Sequence, residues 1–297
     1  MSNKRAHKIF AFREVTVSVL PNNYKVIEWV MDQCFRIDEP ILAFYVEYAR
    51  AAGEWCRLNA DAPVIDQCMY VDSDSYRCNL NNDVFYRVVA YDGVREYTSK
   101  PACSLGVLNR HDWRIARDVV RKEYLRLKRY VGAEGYLLKQ RTYGPQCQEC
   151  LEFDTLESGN SLCSNCFGTG VVGGYYTGLP FWVDISGYVK ESDVELGRGV
   201  VDNRNITGRC VAYPRVDPYD VWVQAHTNKR YNVRKVQIAV NVRTKPLVYV
   251  LEMREIPASA REYGIPLVPD IAAASSSAAE AKATDGWRQG ISCQEIL

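Results

Sequence analysis

Phe44-Tyr45-Val46-Glu47-Tyr48-Ala49-Arg50 and Tyr86-Arg87-Val88-Val89-Ala90-Tyr91 decide the fold class of the N-terminal third. Successive side chains of an extended strand point to opposite faces, so Phe44, Val46 and Tyr48 fall on one side and Tyr86, Val88 and Ala90 do likewise. β-Branched and aromatic residues dominate both stretches, as a pleated, half-buried surface requires. Similar short runs, separated by turn residues, continue from Glu14 to Leu105. That spacing predicts an all-β sandwich over residues 14–106, behind an N-terminal arm of residues 1–13.

Downstream of this region the period changes. Trp113, Ala116, Val120, Tyr124, Leu127 and Val131 recur at helical spacing behind Asn109, a residue suited to capping a helix. A helical connector over residues 109–139 is expected. Arg114, Arg117, Arg121 and Lys128 share a neighbouring face of it, with Asp112, Asp118 and Glu123 interspersed. With those acids in it, the face reads by default as the solvated side of a helix joining two domains, and a phosphate-contacting stripe is the alternative.

The strongest chemical signal follows. Cys147-x2-Cys150 and Cys163-x2-Cys166 are separated by twelve residues, and each pair can present two thiolates from one tight knuckle. Zn²⁺ takes four such ligands tetrahedrally, so a zinc ribbon is expected over residues 140–180, with structural Zn²⁺ and no open coordination position. Gly168 and Gly170 supply the turns that bring the chain around the sulfurs. Two disulfides or redox-active pairs are the competing readings. A redox CxxC usually opens a helix after a strand, which this Gly-rich setting does not resemble.

Cys163–Gly170 also fits the CxxCxGxG knuckle of DnaJ-type chaperones, but those carry four knuckles and an HPD signature that this chain lacks. Gly168-x-Gly170-x-x-Gly173 formally matches a dinucleotide fingerprint without the βαβ unit that gives it meaning.

A second β domain is expected over residues 181–268, on alternation in Val221-Trp222-Val223 and longer mixed runs in Val236–Val242 and Leu247–Leu251. Asn203–Gly208 and Thr227–Lys229 supply turn chemistry. Residues 269–297, Ala/Ser-rich at their start, suggest a flexible C-terminal arm. The expected fold class is therefore mainly β and multi-domain.

The 297 residues exceed what one core usually serves, and 47% hydrophobic against 25% charged residues are ordinary globular values. With 37 basic and 36 acidic residues, no global field draws the chain to nucleic acid or to a membrane. No apolar run long enough for a signal peptide core or a membrane span is present, so a soluble, unsecreted protein is expected. Of eleven cysteines, Cys34, Cys56, Cys68, Cys78 and Cys103 precede the ribbon, and Cys210 and Cys293 follow it. The first five are expected to be reduced, partly buried thiols.

No catalytic residue is expected. His7, His111 and His226 are the only histidines, none within a nucleophile motif. His226 sits in a turn, and Asp217 and Asp220 flank Pro218, where capping is the default role.

Two resemblances sharpen these expectations. VEYARAAGEW followed by LNNDVFYRVVAYDGVREYTSKP resembles strands C to G of a fibronectin type III domain: Leu80 and Tyr86 have tyrosine-corner spacing, and Trp29 matches the B-strand tryptophan. This implies a seven-stranded sandwich used as a spacer or contact module. The order of parts, with TYGPQCQEC…LCSNCFGTGVVGGYY, PYDVWVQAHTNKRYNVRKVQ and MREIPASAREYGIPL, is similar to neck and head-to-tail connector proteins of tailed bacteriophages.

The second likeness spans roughly residues 110–268. It implies a non-enzymatic virion subunit, made in the host cytoplasm, whose partners are its own copies in a ring and neighbouring head, portal or tail proteins. Spare cysteines such as Cys293 would then be placed for inter-subunit disulfides. Two alternatives stand beside it: a zinc-ribbon nucleic-acid binder using the arginine stripe, and a receptor- or glycan-binding module with aromatic residues such as Trp55 and Tyr70.

Overall fold

The period-two segments of the N-terminal third form β1 (Phe12–Val19), β2 (Lys25–Met31), β3 (Ala43–Arg50), β4 (Cys56–Arg57), β5 (Val64–Ile65), β6 (Met69–Asp72), β7 (Val84–Tyr91) and β8 (Glu96–Thr98). This is a computed structural model, and it describes residues 12–19, 24–31, 43–50, 54–65, 67–73, 84–91, 95–103, 108–152, 157–158, 163–191, 194–196, 199–201, 204–265 and 267. The chain is mainly β and divides into two compact units, Met1–Arg117 with Arg141–Gly159 and Thr169–Val172, and Asp118–Gln140 with Asn160–Gly168 and Gly173–Leu297. Leu80, Cys34, Cys78, Cys293 and both proposed arms, apart from Phe12 and Arg13, lie outside the described residues.

In the first unit, β1-β2-β6 form one sheet and β4-β3-β7-β8 another, with β5 also on β3. Inner-face residues of both sheets make one core: Val17, Ile27 and Trp29 from the first, Phe44, Val46, Tyr86, Val88 and Ala90 from the second. The expected faces of β3 and β7 are therefore the buried ones, with Tyr48 packed at the edge of the same core. Trp29 meets Phe44 at 5.3 Å between ring centroids. The Tyr86 hydroxyl donates to Asp72 Oδ2 at 2.9 Å. The outer face of the second sheet is polar: Glu47 bridges Arg57 at 2.8 Å and Arg87 at 2.7 Å.

α1 (Arg110–Arg126) runs into a π-turn, Leu127–Val131. Asn109 caps it as expected, its Oδ1 accepting the Asp112 N–H at 2.8 Å. Ala116 and Leu127 are buried, whereas Val131 is exposed because the wider π-turn breaks the helical register before it.

The expected helical connector to residue 139 is too long. After Gly132 the chain becomes strand β9 (Ala133–Leu138). β10 (Leu151–Glu152) and β11 (Glu157–Ser158) form a small hairpin, as do β13 (Val194–Leu196) and β14 (Gly199–Val201). The remaining strands are β12 (Leu179–Glu191), β15 (Arg204–Val211), β16 (Val221–Gln224), β17 (Arg230–Val242) and β18 (Lys245–Glu255). β12-β15-β18-β17-β16-β9 close into a six-stranded antiparallel barrel. β9 is thus a barrel strand, and the cysteine-bearing segment is inserted between two neighbouring barrel strands.

Directly opposed residues in an antiparallel pair share a face. Gly208 opposes Leu251, Ile206 opposes Met253, and Leu137 opposes both Leu179 and Trp222, so these side chains line the interior. Trp222 fills the space over Gly135, where an added Cβ would come within 2.6 Å of its Nε1. Gly208 similarly leaves room for Val183 and Met253.

The predicted alternation at Val221-Trp222-Val223 does not survive, since all three are fully buried. Val221 and Val223 face outward but are covered by Ile256, Ile265, Tyr263 and Leu267, with a 3-10 turn at Arg261–Gly264. Arg204–Gly208, expected to be turn, is strand because its inward positions pair with β18. Thr227–Lys229 is a turn, with Asn228 at φ 53°.

The C-terminal part of α1, at Glu123 and Arg126, is tied to the outside of the barrel by charge. Arg126 bonds Glu123 at 2.8 Å and Asp184 at 2.7 Å, and Arg209 reaches Glu123 at 2.7 Å. Among the described residues no helix is long and apolar enough to cross a membrane.

Candidate metal centre

Gly144, at φ 143°, opens the cysteine segment. Gln146 then bridges Val171, the Cys147 N–H donates to the Gly170 carbonyl at 2.9 Å, and the Val172 N–H donates to the Pro145 carbonyl at 2.9 Å. The strand entering the first CxxC is therefore held by the strand leaving the second. In the second knuckle the Phe167 N–H donates to the Cys163 carbonyl at 3.0 Å, closing one turn around the pair.

The chain then reverses through left-handed conformations at Phe167 (φ 51°), Gly168 (φ 81°), Gly170 (φ 77°), Gly173 (φ 82°) and Gly174 (φ 58°). Glycine adopts these at no steric cost, and at Gly174 a Cβ would come within 2.6 Å of the Cys166 carbonyl oxygen. Gly168 and Gly170 thus make the turns expected of them. The three glycines of the dinucleotide-like pattern all belong to this reversal, with no strand–helix junction.

The result brings Cys147, Cys150, Cys163 and Cys166 together: all four are buried, and their Sγ atoms lie within 4.8 Å of one another. A tetrahedral ion with metal–sulfur bonds of about 2.3 Å needs sulfur–sulfur separations of about 3.8 Å, so a small contraction fits one ion. Four sulfurs around one ion leave no position for substrate or water. Phe167, the non-glycine residue held at positive φ, packs among Leu138, Tyr175, Val221 and Ile265. Its role was invisible in the sequence, where it is one aromatic beside a cysteine.

The other candidates fall elsewhere. Arg114, Arg117 and Arg121 are exposed on α1, and Lys128 is exposed in the π-turn after it. His226 is exposed in its turn. Trp55 and Tyr70 are half-buried rather than an exposed patch: Arg87 stacks over Trp55 at 4.2 Å, and Tyr70 packs against the sandwich core. Of the early cysteines, Cys68 and Cys103 are buried and Cys56 half-buried.

Asp217 and Asp220 do cap their turn. Asp220 is buried and accepts the Gln140 N–H at 2.9 Å and the Asp217 N–H at 2.8 Å. Lys139, also buried, reaches the Arg215 carbonyl at 2.8 Å and Asp217 at 3.1 Å, with Asp220 at 3.9 Å. Burial pushes the Asp220 carboxyl up to about 7, against the opposing pull of Lys139 and its two N–H donors. Sequence reasoning found the two aspartates and missed Lys139, whose signal is only one lysine after the apolar end of β9.

No known protein family matches this sequence, and neither does any curated protein.

Proposed function

We propose that this chain is a non-enzymatic structural subunit of a tailed-bacteriophage virion, a ring-forming neck or head-to-tail connector component, in which Cys147, Cys150, Cys163 and Cys166 hold one structural Zn²⁺. The observation that carries the structural part is the closed set of four buried sulfurs within 4.8 Å. An all-thiolate donor set is soft and suits zinc, and with four ligands the ion is a staple rather than a reagent.

The packing of a three-stranded sheet on a five-stranded one supports the fibronectin type III-like reading of the first unit, with one strand more than the seven that this reading expects. Tyr86 is buried on the F-like strand, and its hydroxyl engages Asp72, while Trp29 sits on the B-like strand. The placement in the particle rests on the sequence likeness to connector proteins. Closed rings arise from heterologous contacts between copies, and metal-stapled β modules suit a subunit under mechanical load.

Cryo-electron microscopy of purified particles tests this directly. Symmetric density for the chain at the head–tail junction, with an ion among the four cysteines, is expected. Particles that lack the chain would end the virion reading, and a chain that holds no metal would end the zinc reading.

A further inference from the structure

We propose that the exposed face formed by Arg114, Arg117 and Arg121 of α1 and Lys128 of the π-turn after it binds the phosphate backbone of duplex DNA without reading its sequence. This goes beyond the connector reading and stands on different observations. Between Arg110 and Val131 there are eight basic and three acidic residues, an excess of five in a chain whose total excess is one. The positive charge is therefore concentrated on this helix.

At 3.6 residues per turn, Arg114, Arg117 and Arg121 fall within an arc of about 60° and extend along about 10 Å of axis, and Lys128 follows in the π-turn. No apolar residue falls within that arc. All four are exposed, and among the described residues none of them forms an ion pair. Of the nearby acids, Glu123 is already engaged by Arg126 and Arg209.

Aromatic rings set two of the cations in place: Arg117 lies 5.4 Å from the Trp113 ring centroid, and Lys128 lies 5.7 Å from that of Trp182. Stacking orders the side chains and leaves their charge available.

A polyanion with regularly repeated charge fits this file of cations. Arginine matches phosphate through paired N–H donors, and a stripe without an apolar centre lacks the anchor of a protein–protein contact. Sequence-independent contacts of this kind release counterions, so affinity falls with salt by about 0.9 logarithmic units per neutralised phosphate.

The experiment uses the full chain and a labelled duplex of arbitrary sequence, about 20 base pairs long, followed by anisotropy between about 50 and 200 mM NaCl. Wild type is expected to bind with a log–log salt slope of about −3 to −4. The triple variant Arg114→Gln/Arg117→Gln/Arg121→Gln should bind at least about tenfold more weakly and lose about 2.7 from that slope, while Arg243→Gln changes neither. Absence of wild-type binding at the lowest salt overturns the proposal, as does an unchanged triple variant. Stronger capture by polyglutamate than by DNA, lost in the triple variant, overturns it in favour of an acidic protein partner.

Discussion

Asp220 accepts the Gln140 N–H at 2.9 Å where β9 ends and the cysteine segment begins. Gln140 also bridges Tyr175, so the segment leaves and rejoins the barrel side by side. The second Asp220 oxygen takes the Asp217 N–H. Both oxygens thus act as acceptors for backbone donors. In Asp220→Asn one of them becomes an NH₂ that must face an N–H, leaving a buried donor unmatched at a cost of about 1–3 kcal/mol. Urea denaturation at neutral pH should show the lowered midpoint, and an unchanged midpoint would mean that the turn does not depend on this carboxylate.

The same residue predicts a pH dependence. Its folded-state carboxyl is pushed up to about 7 by burial, above the ordinary carboxylate value. A raised folded-state value means that the native chain holds the proton longer than the unfolded chain. The associated stability is therefore complete below the ordinary value and lost as pH rises through about 7. The stability difference between wild type and Asp220→Asn should be larger at pH 5 than at pH 8. Taking the difference cancels the protonation of the cysteine thiols, which acts in both proteins. A difference that is flat or grows with pH refutes the assignment.

Metal removal should be felt by the whole chain. Cys166 is fully buried, and replacing its sulfur by the harder hydroxyl of serine removes one of four soft ligands. Purified wild type should contain one zinc per chain by elemental analysis, and Cys166→Ser well under one. Loss of a structural zinc removes several kcal/mol, enough to lower the thermal midpoint by on the order of 10 °C. A metal-free wild type whose melting ignores chelators would instead favour thiol or disulfide chemistry at this cluster.

Much of this architecture is legible locally. Phe44, Val46, Tyr86 and Val88 announce their buried face because a sheet with one solvated side alternates. The CxxC pairs announce their convergence because each knuckle is a local turn. What escaped has a non-local cause. Val221 and Val223 lose their alternation only because residues far along the chain, Ile256 and Ile265, cover the outer face. β9 escaped for a similar reason: its six residues include Gly135, a poor strand former that is required because Trp222 occupies the space a side chain would need.

Gly135 supports a sharp test. A Cβ at this position would sit 2.3 Å from the Val223 carbonyl oxygen and 2.6 Å from Trp222 Nε1. Neither neighbour can yield easily, because one is backbone in a paired strand and the other fills the barrel. Gly135→Ala should cost about 1–3 kcal/mol through overpacking, with loss of near-ultraviolet signal from Trp222. Gly178→Ala, where the closest atom is the Tyr136 Cβ at 3.1 Å, should be milder. Equal effects at the two positions would contradict the barrel interior described above.

The covering segment has its own anchor. Arg230 is buried, and its guanidinium donates to the carbonyls of Glu262 and, at 3.0 Å, Ile265, while the Tyr263 ring lies 5.2 Å away. One planar fork thus serves two carbonyls at the end of the 3-10 turn. A lysine ammonium is a compact point charge that cannot span them in the same geometry. Arg230→Lys should therefore loosen the turn without unfolding the barrel: the Ile265 N–H, which donates to the Glu262 carbonyl at 3.3 Å, should exchange with deuterium at least about tenfold faster, while amides of β15 and β18 keep their protection. Faster exchange throughout the barrel would show that the segment is part of the cooperative core. Unchanged exchange at Ile265 would show that Tyr263, Ile265 and Leu267 hold it by apolar contact alone.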